Sequence, residues 1–283
     1  MLLPFKWKNK TVKRKIIVAA AAFALLAGLF FFFGYQNNHI AVSKIKLSNE
    51  NIGALKIVHL SDLHGKQFGQ NNKKLAGKIT ALNPDLIVLT GDMLDVSGKN
   101  TDETIDFLAA LNKTAAVVWV SGNHEWDSGA RDEIVRKLKE KDIMVLENEI
   151  ASLNIGGNEI NILGLDEVGG YYAAGADIPS LFLKLSKLRG LKIVLSHYPE
   201  NYALTGEKSY NQYGFDLMFS GHAHGGQISL PFIGGLFSPG QGFDPRYYRG
   251  LYDGRLIVSA GLGNSRFPFR LFNYPQIVLA EIN

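Results

Sequence analysis

Apolar positions along this chain fall into three kinds of pattern. Ile16 to Tyr35, IIVAAAAFALLAGLFFFFGY, stays uncharged for twenty residues and is apolar on every face. That is about the length with which a helix rising 1.5 Å per residue crosses a bilayer core of roughly 30 Å. From Leu55 onward a second pattern repeats: a short β-branched apolar run, then Gly or Ser, then polar side chains. It occurs as LKIVHLSDLH (55–64), DLIVLTGD (85–92), AAVVWVSGNHE (115–125), LKIVLSH (191–197) and FDLMFSGHAH (215–224). Apolar runs this short, bounded by turn residues, predict buried strands. Stretches 71–82, 101–111 and 130–141 predict helices, and strand alternating with helix predicts an α/β core with substantially parallel strands. The third pattern is apolar/polar alternation in SLNIGGNEINILGL (152–165), QISLPFI (227–233), GLYDGRLIVSAGL (250–262) and PQIVLAEI (275–282). With turn signals at Gly156-Gly157 and Asp253-Gly254, these segments predict hairpins and antiparallel strands of a second sheet packed on the first.

Charge changes the reading of the first segment. The chain of 283 residues has a net charge of +4, but Lys6, Lys8, Lys10, Lys13, Arg14 and Lys15 precede the apolar run with no acid among them. The remaining 24 bases against 26 acids leave about −2, so the body gives no electrostatic reason to bind nucleic acid. Bases followed by a long apolar helix read as a retained transmembrane anchor (16–35) behind a basic cytoplasmic tail (1–15). A cleaved signal peptide has the same order of regions. Against cleavage, the apolar run exceeds the usual 7 to 15 residues, and the small-x-small candidate Ala41-Val42-Ser43 lies well beyond it. The positive-inside bias then places everything after the anchor outside the cytoplasm: a juxtamembrane linker or first strand (36–53) and a folded domain (54–283).

Cysteine is absent, which excludes a disulfide framework and any thiolate metal site. Each predicted strand of the second pattern nevertheless ends in side chains able to hold a metal: Asp62 and His64, Asp92, Asn123 and His124, His197, His222 and His224. In open α/β sheets the ligand site lies beyond the carboxyl ends of the strands. Five of the seven histidines fall there. Imidazole nitrogens mixed with carboxylate and amide oxygens suit borderline divalent ions such as Mn, Fe, Zn or Co. Asp62 and His64, two apart, point the same way if the backbone stays extended. Eight candidates exceed what one tetrahedral ion needs, and a carboxylate such as Asp92 has two oxygens with which to bridge, so two ions are the economical reading.

The motifs DLH, GD, GNHE, SHYP and GHAHGG, in this order, resemble those of the calcineurin-like metallophosphoesterase superfamily. The N-terminal anchor resembles that of its bacterial membrane-anchored branch. The resemblance covers about residues 54 to 283 and implies a four-layer αββα sandwich with two central mixed β-sheets flanked by helices. It implies two divalent metal ions as cofactors, the first held by Asp62, His64, Asp92 and His224, the second by Asp92, Asn123, His197 and His222. His124 is then a catalytic group and not a ligand. The implied activity is hydrolysis of phosphodiester or pyrophosphate bonds by a metal-bridging hydroxide attacking phosphorus, on a membrane- or envelope-associated substrate, in some cases lipid-linked. Two alternatives stand beside it: a UDP-2,3-diacylglucosamine pyrophosphatase-like hydrolase, and a non-catalytic metal-binding scaffold. The expected partners are the phosphoester substrate and the membrane, with no nucleic acid and no protein partner inferred.

Other positions carry weaker expectations. His59 alternates within its predicted strand and is expected to be packed, and His39, just past the apolar run, solvated. Glu125 is expected either to orient His124 or to be a solvated loop carboxylate. Tyr171-Tyr172 between glycines reads as a substrate loop or an ordinary surface loop. Arg246, Arg249, Arg266 and Arg270 are candidates to meet a phosphate or an anionic head group, and LFSPGQGFDPRYYRG (236–250) is a candidate substrate-facing loop.

Overall fold

The computed structural model describes residues 10–50, 52–167, 176–203, 209–264 and 267–283. The Tyr171-Tyr172 loop, Arg266 and the first nine residues lie outside them. In chain order the elements begin with α1 (Lys10–Asn38), β1 (Ala41–Leu47), β2 (Leu55–Leu60), α2 (Lys73–Thr80), β3 (Leu86–Thr90), α3 (Thr101–Leu111) and β4 (Ala116–Val120). There follow α4 (Asn123–Asp127), α5 (Arg131–Glu140), β5 (Met144–Val145), β6 (Glu149–Ile155), β7 (Asn158–Gly164), α6 (Ile178–Ser186), β8 (Leu191–Leu195) and β9 (Leu217–Ser220). The last third holds β10 (Ser229–Leu230), β11 (Gly234–Gly235), β12 (Phe237–Ser238), β13 (Gly242–Phe243), β14 (Gly250–Tyr252), β15 (Leu256–Val258) and β16 (Gln276–Ile282).

Two mixed six-stranded sheets result, ordered β1-β16-β2-β3-β4-β5 and β14-β15-β9-β8-β7-β6. Period-2 alternation along each strand sorts its side chains into layers. Val58, Leu60, Ile87, Leu89, Val117 and Trp119 face outward onto apolar residues of α2, α3 and α5, among them Leu75, Leu108 and Leu138. Ile57, Val88, Val118 and Val120 face inward onto Ile160, Ile162, Ile193, Leu195 and Phe219 of the other sheet. The outer side of that second sheet, through Leu163, Val194 and Met218, packs on Phe182 and Leu185 of α6. The architecture is therefore the four-layer αββα sandwich, because every central strand is apolar on both faces.

Sheet membership differs from expectation: the segment 227–233, expected in the second sheet, instead gives β10, which pairs with β11 in a two-stranded sheet of its own. The segment 275–282, expected in the second sheet, inserts as β16 into the first, parallel to β1 and antiparallel to β2. Conversely, β8 and β9, which share the apolar pattern of β2 to β4, belong to the second sheet. A run buried on both faces reports burial, not which neighbour it pairs with. The pairing has a consequence for placement: since β1 runs antiparallel to β2, α1 delivers the chain to the edge at which β2 ends.

Helix α1 is, among the described residues, the one helix long and apolar enough to cross a membrane. It extends beyond the uncharged run at both ends, from Lys10 to Asn38.

His59, as expected, is packed. It lies between the sheets against Phe219, with Nε2 2.7 Å from Thr90 Oγ1. Burial pushes its pKa down to about 3. The unfolded chain takes up this proton near pH 6.5, whereas the folded chain refuses it until about pH 3. In that window the unfolded state binds more protons, so stability falls as pH drops. His59→Gln is expected to make the thermal midpoint decline less steeply on acidification below about pH 6.5. Parallel declines in the two proteins would contradict this.

Candidate functional site

The five polar clusters meet at the carboxyl edges of both sheets. Asp62 and His64 follow β2, Asp92 follows β3, Asn123 and His124 open α4, His197 follows β8, and His222 and His224 follow β9. The backbone that brings them together is not extended, contrary to expectation. Asp62, His64, Asp92, His222 and His224 all have φ between 47° and 61°. This left-handed conformation costs of order 1–3 kcal/mol per non-glycine residue, so neighbouring structure must enforce it. It does so through a lattice of main-chain bonds: Asp62 N to Gly91 O, His64 N to Asp92 O, Gly65 N to Met93 O and Leu262 N to Ser61 O, all between 2.9 and 3.1 Å. The glycines of the motifs permit the approach. A Cβ at Gly122 would overlap the Asp92 carboxylate, and one at Gly221 would overlap Ser61 Oγ and the Asp62 carboxylate.

Each carboxylate spends one oxygen on a neighbouring loop. Asp62 Oδ1 accepts from His222 N at 3.0 Å, and Asp92 Oδ1 accepts from His124 N at 2.8 Å. The donor atoms of the site form two groups joined by a third, of His64, Asp92 and His124. Asp62, His64 and His224 make one, with His64 Nε2 3.2 Å from His224 Nε2 and His224 Nε2 3.7 Å from Asp62 Oδ1. Asp92, His197 and His222 make the other, with His197 Nε2 3.4 Å from Asp92 Oδ2 and 3.2 Å from both His222 Nδ1 and Asn123 Oδ1. Asp92 Oδ2 also lies 3.9 Å from His64 Nε2, so it faces a member of each of these two groups. His124 borders the first group, its Nδ1 3.2 Å from His64 Nδ1 and its Nε2 4.0 Å from Asp92 Oδ2, with 27% of its side chain exposed. All eight predicted residues thus converge, and His124 is the imidazole among them most open to solvent.

The donor set fits divalent cations. Burial pushes His64 down to about 4, His222 to about 3 and His224 well below its usual value, so these rings are neutral and carry a lone pair. Burial also lowers His197, but the Asp92 carboxylate, followed by Asp62, reverses this and pushes it up to about 10. Burial opposes ionisation of Asp92, yet His197, His64 and His124 hold it well below the usual carboxylate range. Asp62, raised to about 7 chiefly by burial, keeps Oδ2 buried with no hydrogen-bond partner among the described residues. A buried, unpaired carboxylate oxygen beside facing imidazole nitrogens is the arrangement a cation satisfies.

A ring of residues holds this set in place. Glu125 is fully buried, so it is not a solvated loop carboxylate, and it does not reach the His124 ring. Its oxygens accept from the amides of Asp92, Gly122 and Leu94 at 2.7–3.0 Å, tying two of the loops together. Burial, then the Asp92 charge, pushes it up to about 7. Glu125→Ala would orphan three buried donors at about 1–3 kcal/mol each. It is expected to lower the thermal midpoint by several degrees, with Glu125→Gln recovering part of the loss; an unchanged midpoint would contradict the latch.

Glu167, which the sequence reading passed over, accepts from His197 N, Ser196 Oγ, Asn201 Nδ2 and Tyr210 Oη and fixes the His197 loop. Its signal was the second carboxylate of GLDE directly after a strand.

The arginines divide. Arg270 is 1% exposed and donates to the carbonyls of Gly263 and Ala260, so it does not face a head group. Burial pulls its guanidinium down to about 10 against the attraction of Asp62. Arg246 and Arg249 are exposed and lie over the rings of Tyr247 and Tyr248. The 236–250 loop borders the site: a Cβ on Gly240 would overlap Glu200 and stand 3.6 Å from His222 Nε2. His39 is exposed, stacked on Tyr35 and edge-on to Tyr274.

An αββα sandwich carrying such a cluster at its strand ends belongs to a class of metal-dependent hydrolases. Residues 55–226 match the family model described as Calcineurin-like phosphoesterase. The chain belongs to that family and is a hydrolase of phosphoester bonds. It is 30% identical to the uncharacterized metallophosphoesterase YkuE of Bacillus subtilis, with 97% of each chain covered. It is 27% identical to the phosphodiesterase YaeI of Escherichia coli, over 95% of this chain and 98% of that one. With the UDP-2,3-diacylglucosamine pyrophosphatase LpxG of Chlamydia muridarum it shares 25% identity, over 86% and 90% of the two chains.

Proposed function

We propose that this protein is a dinuclear metal-dependent phosphoesterase that hydrolyses a phosphodiester or pyrophosphate bond in a membrane- or envelope-associated substrate. The observation that carries the reading is the position of Asp92 Oδ2, within 3.4 Å of His197 Nε2 on one side and 3.9 Å of His64 Nε2 on the other. Asp62, His64, Asp92 and His224 would hold one cation, and Asp92, Asn123, His197 and His222 the other. Bound there, two divalent cations supply Lewis acidity toward phosphoryl oxygens and acidify water for attack on phosphorus. The protein's own part is placement. Glu125, Glu167 and the main-chain lattice hold the donor atoms before substrate arrives, so little reorganisation is needed. Asp92 Oδ1 anchors the His124 amide, which sets that imidazole at the rim, able to stabilise phosphoryl oxygens or give a proton to the leaving oxygen.

Placement in the cell follows from the basic start of the chain: N-terminus cytoplasmic, α1 across the membrane, catalytic domain outside the cytoplasm. That orientation favours a lipid-linked or envelope phosphoester over a cytosolic nucleotide sugar. The relative named a UDP-2,3-diacylglucosamine pyrophosphatase supports the second reading, in which an acylated sugar nucleotide is cleaved at its pyrophosphate. Purified full-length protein assayed with bis(p-nitrophenyl) phosphate, p-nitrophenyl phosphate and UDP-2,3-diacylglucosamine, with and without chelator and added Mn, separates the readings. Diester cleavage lost on chelation and restored by Mn is expected. Activity indifferent to chelation overturns the mechanism, and a strong preference for the sugar nucleotide selects the second reading.

A further inference from the structure

We propose that the catalytic domain has a membrane-docking face of its own, formed by the Phe232-Ile233 tip between β10 and β11 and the segment from Phe267 to Phe272, and that it seats the metal-binding edge on the bilayer crossed by α1. The inference rests on the reading of α1 as membrane-spanning.

Three observations carry it. The first is topological. β1 starts at the edge where β2 ends, so α1 leaves the membrane on the side of the sandwich that bears Asp62, His64 and the other strand-end residues. The second is the depth of contact. The last apolar turns of α1 pack on the domain, Phe33 against Phe269 at 4.9 Å and Phe32 against Phe272 at 6.4 Å between ring centroids. Polar groups one turn later lock the same segment: Gln36 Oε1 accepts from Phe272 N at 3.1 Å and Asn37 Oδ1 from Arg270 N at 3.0 Å. Phe33 and Phe32 are two and three residues inside the end of the uncharged run at Tyr35, about 3–5 Å at 1.5 Å per residue, so Phe269 and Phe272 lie at the level of the membrane interface.

The third is the apolar surface that continues from that contact. Ser229 N donates to Leu271 O at 3.0 Å, which ties the β10–β11 hairpin to the same segment. At its tip Phe232 is wholly exposed and has φ 69°, a backbone conformation uncommon for an aromatic residue, and Ile233 is 67% exposed. Phe267, Phe269 and Phe272 are each between 43% and 48% exposed. Aromatic side chains grouped in this way mark an interaction surface. A groove of about 410 Å³ runs between the hairpin and Phe272, with Tyr248 and Arg249 on its wall. Continuity with the helix selects lipid as the occupant, and a cationic side chain beside an aromatic belt suits the head-group level of a membrane. The hairpin grows directly out of the His222–Gly226 turn, with Leu236 N donating to the carbonyls of Gly226 and Ile228. A phosphoester at head-group height would therefore meet the metal-binding edge without leaving the bilayer.

The chain has no cysteine, so one substitution creates a unique labelling site. Full-length Phe232→Cys, Ala24→Cys and Lys113→Cys are labelled with an environment-sensitive fluorophore and reconstituted in phosphatidylethanolamine/phosphatidylglycerol vesicles. Lys113 is exposed in the turn before β4, at the opposite edge of the sheet. The expected result at position 232 is blue-shifted emission, quenching by shallow nitroxide lipids and protection from aqueous iodide. Position 113 should show the reverse, and position 24 quenching by deep nitroxide lipids. A label at 232 that iodide reaches, or that neither quencher reaches, overturns the docking face while quenching at 24 leaves the anchor standing. Loss of lipid quenching at 24 as well removes the anchor reading on which it rests. Thermal midpoints equal to that of the unsubstituted protein show that the labelled chains are folded.

Discussion

Asp92→Ala is expected to abolish measurable phosphodiester hydrolysis and to lower the affinity for both metal ions together. The reason is that one atom faces both proposed cation positions: Asp92 Oδ2 is within 4 Å of imidazole nitrogens of His64, His124 and His197. Its other oxygen holds the His124 amide, so the substitution also frees the start of α4. Loss of a hydrogen-bonding partner behind a metal ligand typically costs 10–100-fold, and loss of a shared ligand must exceed that. The comparison is with His222→Ala and His224→Ala, each of which removes a donor from one group alone and is expected to weaken one ion more than the other. Metal titration of the three variants followed by calorimetry checks the pattern. Retention of both ions at wild-type affinity in Asp92→Ala would show that the two groups are independent of it.

The second large effect is expected at His124, and it should differ in kind. His124→Ala leaves Asp62, His64, Asp92, Asn123, His197, His222 and His224 in place, so metal content should stay unchanged while kcat falls roughly 10²- to 10⁴-fold, the usual contribution of a positioned acid–base group. The fall should be smaller for substrates whose leaving group is a good anion without protonation. A nitrophenolate ester and an alkyl ester, compared in the same variant, separate proton donation from simple positioning. Equal losses on both would restrict His124 to stabilising the phosphoryl oxygens, and a drop in metal content would make it a ligand.

Much of this site was legible in the sequence because its chemistry sits at predictable places. Five β-branched runs each end in Gly or Ser and then a side chain able to hold a metal, and in a layered α/β fold such ends converge whichever strand pairs with which. What was not legible depends on contacts between distant segments. β16 alternates like a second-sheet strand, yet it lies between β1 and β2, since pairing depends on edges that become available only once the other strands are in place. The left-handed backbone at Asp62, His64, Asp92, His222 and His224 was also hidden: an extended strand end would equally well have pointed Asp62 and His64 the same way. Glu125, expected to orient His124 or to be solvated, and Arg270, a candidate for a phosphate or head group, are both buried instead, because nothing local shows that three amides will surround one or that the carbonyls of Gly263 and Ala260 will surround the other. The alternation of 227–233 predicts a strand through Phe232, and only the folded arrangement shows that residue exposed between β10 and β11.

We propose that this chain holds two catalytic divalent ions on a shared Asp92. The most direct measurement is metal content per chain, by elemental analysis of the purified full-length protein after chelation and reloading with graded Mn, read alongside phosphodiester hydrolysis. The expected result is no activity in the stripped protein, a rise that saturates at two ions per chain, and no recovery by Asp92→Ala at any metal concentration. Full activity with one ion or none, or hydrolysis by Asp92→Ala at the wild-type rate, would contradict it.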